Sequence, residues 1–122
     1  MVRRILIPSD DPDGKTVAGH FGRAPYFMVI DVGDDEQVEE SRVVPNSGEH
    51  SGGRGHAHDN VLQFNPTVII SHGMGPRGLR SFESQRIAVL KAKSTSVEEN
   101  IKAYMRGELA ELTEGCADAH HR

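Results

Sequence analysis

The chain has 122 residues, 36% of them hydrophobic and 26% charged, the proportions of one compact domain. A net charge of −4, 5% aromatic residues and no tryptophan weigh against an extended nucleic-acid face and against base stacking. Cys116 is the only cysteine, which excludes an intramolecular disulfide; with no apolar run near the ~20 residues of a membrane span and no secretion signal, a cytoplasmic protein without nucleic-acid or membrane partners is expected.

Residues 3–8, RRILIP, read as a first strand stopped by Pro8 and the turn-rich SDDPDG. Tyr26 to Val32 is a nearly continuous apolar run and predicts a buried strand. GDDEQ then turns the chain into a more exposed strand, 37–44, paired with it as a hairpin. Residues 46–56, NSGEHSGGRGH, carry four glycines and no aliphatic side chain and read as a loop. A helix is expected from about Ala57 to Phe64, closed by Asn65-Pro66. TVIIS, 67–71, is a β-branched run suited to a central strand. A helix opening at Pro76, with Leu79 and Phe82 inward, leads to a strand over 87–91. The last helix lies within TSVEENIKAYMRG: Thr95 and Glu98 have capping-box spacing, Val97, Ile101 and Tyr104 form a stripe, and Gly107 is the stop. The order predicts a single α/β domain over 1–110 with a mixed five-stranded sheet, strands one and four central, and a Cys/His tail over 111–122.

In open α/β sheets ligands sit beyond the carboxyl ends of the parallel strands, where connections diverge. The loop after the first strand carries His20, Phe21, Gly22 and Arg23, and the turn after the fourth carries His72, Gly73, Met74, Gly75, Pro76 and Arg77. Glycines admit close backbone approach, a helix N-terminus offers free N–H groups, arginines add forked donors and imidazoles can ligate metal, so an anion is the expected ligand. The plainer reading is that a glycine turn at a helix start is common without a ligand, and that Arg23 only pairs with a carboxylate.

Two further groups could hold metal. His50, Arg54, His56 and His58 lie in the glycine-rich loop, where solvation is the default and a closing lid the alternative. Cys116, His120 and His121 make a partial ligand set in the tail. Asp10, Asp11, Asp13 and Asp31 could hold Mg²⁺, although the first three stand in a Pro/Gly turn where solvation is the default. No G-x-S-x-G, P-loop, H-E-x-x-H or C-x-x-C signature is present.

The stretches HFGRAPYF at 20–27, GMGPR at 73–77 and TSVEENIKAYMRGEL at 95–109 resemble the dinitrogenase iron-molybdenum cofactor biosynthesis domain, of the NifX and NifB C-terminal types, over about residues 4–110. The resemblance implies a ribonuclease-H-like α/β fold that binds, carries or stores an anionic metal–sulfur cluster rather than catalysing a reaction. The cargo it implies is an iron-molybdenum cofactor precursor, an iron–sulfur cluster or a molybdenum–copper sulfide. It also implies donor and acceptor proteins as partners of a monomer or weak homo-oligomer. Carried over by position, His20, Phe21, Gly22, Arg23, Gly73, Met74, Gly75 and Arg77 would hold the cluster, with His20 or His72 giving labile metal bonds. Two rivals stand beside it: a metal-free interaction or regulatory module, and a divalent-metal phosphoesterase whose carboxylates would be Asp10 and Asp31.

Overall fold

The computed structural model describes residues 3–19, 21, 23–46 and 63–112. Within them run β1 (Arg3–Ser9), β2 (Tyr26–Val32), β3 (Val38–Pro45), β4 (Val68–Ser71), α1 (Pro76–Ser84), β5 (Ala88–Lys91) and α2 (Val97–Met105). The strands form one mixed sheet in the order β3-β2-β1-β4-β5, so the chain is a single α/β domain with β1 and β4 central. β2 is antiparallel to both neighbours, whereas β1–β4 and β4–β5 are parallel.

The apolar runs bury both faces of the central strands, as parallel sheets require. Leu6, Phe27, Val29, Ile69 and Val89 point to one side and meet Leu79 and Phe82 of α1; Ile5, Ile7, Ile30, Val68 and Ile70 point to the other and meet Val97 of α2. Leu79 and Phe82 are fully buried and contribute about 1.5–3 kcal/mol each by leaving water. Ile101 and Tyr104 of the expected stripe pack on the second cluster, and Gly107 ends α2 with φ +70°, a left-handed stop that favours glycine.

Four details differ from the sequence expectation. Ser96, not Thr95, caps α2: its side chain accepts from the Glu99 N–H at 3.2 Å, while its own N–H donates to Ser94 Oγ at 3.1 Å, so Ser94 takes the place Glu99 would have in a capping box. The start is fixed there by the buried Asn100, whose amide donates to the carbonyls of Ser94 and Ser96 while its oxygen accepts from the Lys93 N–H. The packed chain also runs past residue 110. Leu112 is 1% exposed and its N–H reaches the Val89 carbonyl, while the Lys91 N–H donates to Ala110, because the β5 edge offers partners. β3 carries a register shift opposite Asp31/Val32 and runs to Pro45. Of the helix expected at 57–64, Gln63 and Phe64 stand in a turn and the remainder lies outside the described residues.

Candidate functional site

β1 leads back through the hairpin while β4 leads through α1 to β5, so the two central connections diverge at the carboxyl end of the sheet. The loop after β1 is built in two parts. In the first, the Asp11 carboxylate gathers the Ser9 hydroxyl (2.8 Å) and the N–H groups of Lys15 (3.0 Å) and Thr16 (3.2 Å). The Ser9 hydrogen bond, and then those two N–H groups, hold this carboxyl below the usual range, so its charge is spent on its own loop. The second part returns across the sheet end. Phe21 is 6% exposed and packs against Phe27 (5.6 Å between ring centres) and edge-on against Phe82 of α1 (5.7 Å).

That aromatic contact joins the 19–25 loop to α1. Met74, half-buried in the turn after β4, packs on the same cluster, so the two segments singled out in the sequence meet on the α1 side of the sheet. Phe21 therefore serves as an anchor that places the loop, and Arg23 beside it is exposed. Asn46, 4% exposed, fixes the next residues: its amide donates to the Ala24 carbonyl at 2.8 Å and its N–H to Pro25 at 2.9 Å. Sequence reading missed Asn46, because a lone asparagine at a strand end carries no spacing signal.

The turn after β4 is shaped by Ser71, fully buried, whose hydroxyl donates to the Gly73 carbonyl at 3.0 Å. His72 follows, and its Nε2 is buried with no hydrogen-bond partner among the described residues, a costly arrangement for an imidazole. A Cβ added at Gly73 or Gly75 would meet nothing within 4 Å, and neither residue is left-handed. Neither internal crowding nor backbone conformation calls for glycine there, and the backbone at both positions can be approached closely from outside. Gly78 differs: Met74 lies 3.1 Å from where its Cβ would be.

α1 begins at this turn with Pro76 at its first position, as the sequence suggested. Its cap, Gly75, has no side-chain acceptor, and its first turn holds no acidic residue but the exposed Arg77. Helix geometry leaves the N–H groups of Arg77 and Gly78 without intrahelical acceptors. Arg23 and Arg77 form no ion pair among the described residues.

Asp10 and Asp31 do not converge. Asp31 pairs across the sheet with Arg4, near the start of β1, while Asp10 follows its end, six residues and about 20 Å of strand away. Arg4 Nε donates to Asp31 Oδ1 at 2.7 Å and its Nη1 to the Phe64 carbonyl at 2.8 Å; this guanidinium holds the Asp31 carboxyl below the usual range. The carboxylate pair required by the phosphoesterase reading is thus absent. His20, Gly22, His50, Arg54, His56, His58, Cys116, His120 and His121 lie outside the described residues. Among the described residues no three His, Cys, Asp or Glu gather around a point, and no helix is long and apolar enough to cross a membrane.

Comparison with known proteins places this architecture. The family described as dinitrogenase iron-molybdenum cofactor matches residues 1–107. An uncharacterized protein of Methanocaldococcus jannaschii is 29% identical over 109 residues, covering 87% of this chain and 88% of that one. The structure of a candidate NifB protein from Thermotoga superposes with a TM-score of 0.70 at 26% identity, covering 91% of this chain and 94% of that one. The apo orange protein of Desulfovibrio gigas shares the fold, with a TM-score of 0.71 at 21% identity and coverage of 89% and 92%. With a match that takes in all seven elements and the turn at the start of α1, the chain belongs to the dinitrogenase iron-molybdenum cofactor family.

Proposed function

We propose that this protein binds an anionic metal–sulfur cluster at the start of α1 and carries it from a donor to an acceptor protein. The observation that carries the reading is the bare, basic N-terminus of α1: a helix start without a side-chain cap, two glycines opening onto free space and, among the described residues, unpaired Arg77 and Arg23 and a buried imidazole nitrogen without a partner. A capped helix start would be more stable on its own, so the features left open favour a negatively charged occupant.

The residues would divide the work by chemistry. Backbone N–H groups at Arg77 and Gly78, with the guanidinium groups of Arg23 and Arg77, would hold cluster sulfides through charge-assisted hydrogen bonds. His72, and His20 in the preceding loop, would offer single imidazole bonds to a metal. Phe21, Asn46 and Ser71 would keep the two walls in place. Few covalent bonds and many hydrogen bonds suit release, whereas a full thiolate cage would retain the cargo. The cargo class is the iron-molybdenum cofactor precursor, iron–sulfur or molybdenum–copper sulfide type, the chain acts without catalysis on a ribonuclease-H-like scaffold, and its place is the cytoplasm.

Anaerobic reconstitution tests this reading. The protein is incubated with iron and sulfide, or with tetrathiomolybdate with and without copper, then desalted and assayed for metal, sulfide and visible absorption. Stoichiometric coloured cluster on wild type, lost from a folded His20→Ala, Arg23→Ala, His72→Ala variant, is expected. Equal retention by both proteins would move the site to the histidines at 50, 56 and 58 or to Cys116, His120 and His121. Failure of every cluster to co-elute would favour a metal-free interaction module.

A further inference from the structure

The two edges of the sheet are treated differently. β5 is covered by residues 110–112 through the Leu90–Glu111 bridge and the Lys91 and Leu112 N–H bonds, whereas β3, eight residues long, has no strand beyond it among the described residues. An open edge of that length is a template for another strand. Which of its groups are free follows from the ladder with β2. The Asn46 N–H bonds the Pro25 carbonyl, and hydrogen-bonded pairs alternate along an antiparallel ladder; Val44, Arg42 and Glu40 therefore spend their backbone groups on β2, while Pro45, Val43 and Ser41 direct theirs outward. Pro45 has no N–H to offer, so pairing from outside stops before it.

The side chains then select a register. Glu39, Glu40 and Arg42 would repel an apolar strand, the usual protection of an edge. Against an antiparallel copy of β3 the outcome depends on alignment. A centre at Glu40 sets two glutamates face to face. A centre at Arg42 opposes two arginines and wastes an outward pairing on Pro45. A centre at Ser41 sets Glu40 opposite Arg42 of the other copy, twice, with Glu39 opposite Val43. Within one chain Arg42 Nη1 and Glu40 Oε2 form an ion pair at 3.5 Å with both side chains reaching solvent, so pairing with a second copy exchanges this weak pair for the two across the axis. We infer that a second copy of this chain pairs with β3 in this register, extending the sheet across a two-fold axis at Ser41.

One pair of short strands makes a small contact, of the transient class, so association is weak and reversible. The two α1 cradles then lie at opposite ends of the joined sheet and both remain open. Sedimentation equilibrium between about 5 and 500 µM, a span that reaches weak association, is the test. The weight-average mass of wild type should climb from one chain toward two. Glu40→Arg and Arg42→Glu alone should each weaken association at least tenfold, and the double exchange should restore it, because opposite charges again face each other. Ser41→Pro, which removes an outward N–H and leaves the inner ladder intact, should weaken it equally. A wild type that stays monomeric throughout, a dimer indifferent to the single exchanges, or a double exchange without recovery would overturn the inference. Unfolding midpoints of the four variants distinguish loss of pairing from loss of fold.

Discussion

Two helices begin at the same end of the sheet, each directly after a parallel strand, and they are finished in opposite ways. At α2, Ser96 accepts the Glu99 N–H, the Lys15 carbonyl accepts the Val97 N–H, and Glu98 and Glu99 place negative charge against the helix dipole. At α1, Gly75 caps nothing, Pro76 is followed by Arg77, and no acid stands in the first turn. One terminus is closed by its own chain and the other is left with unmet donors and repelling charge. On the proposed function, the open one is where stability is given up for a ligand.

The comparison can be broken most severely at Asn100. Asn100→Ala removes three hydrogen bonds from a fully buried site and should cost about 3 kcal/mol, read as a lower urea midpoint. An unchanged midpoint would mean that the α2 start does not depend on this amide. Ser96→Ala should cost about 1 kcal/mol, the usual worth of a cap. A loss below about 0.3 kcal/mol would leave the contrast between the two starts without energetic content.

Gly75→Asp gives α1 the dress of α2. The position has extended backbone (φ −64°, ψ 156°) and open space, so an aspartate fits and should raise stability by about 0.5–1 kcal/mol while closing the anion site. A destabilised variant would show that the turn is already satisfied in some other way.

The smallest expected effect is on acid. Arg4 holds Asp31 below its unfolded value of about 3.9, so the unfolded chain binds more protons near that pH and stability falls as pH drops through this range; above it the contribution is complete. Asp11, lowered by Ser9 and by the N–H groups of Thr16 and Lys15, adds in the same direction. Asp31→Asn should flatten the decline between about pH 5 and 2, and an unaltered acid profile would count against this pair.

Much of this frame could be read from the residues, and the limits have a physical pattern. Runs of β-branched residues and the position of Pro76 located β4, the start of α1 and the central place of β1 beside β4, because burial period and proline geometry are local. The run Ser94-Thr95-Ser96 followed by Glu98-Glu99 allows two capping registers; Asn100, reaching back six residues, decides between them. Asn46 and the Arg4–Asp31 pair were hidden for a related reason: each acts on backbone or charge brought close only by the sheet, whereas Asp11 binds within its own loop. The candidate cradle was found as a set of residue types. Its distinguishing property, donors and space that nothing among the described residues uses, needed coordinates.

The central claim is that the start of α1 is open to hold an anionic thiometallate. Its most direct measurement is spectrophotometric titration of tetrathiomolybdate and copper into wild type and Gly75→Asp under anaerobic conditions, with retained molybdenum counted after desalting. The account predicts a bound, coloured complex on wild type and its loss from Gly75→Asp, although that variant is at least as stable. Equal retention by the two proteins would contradict it.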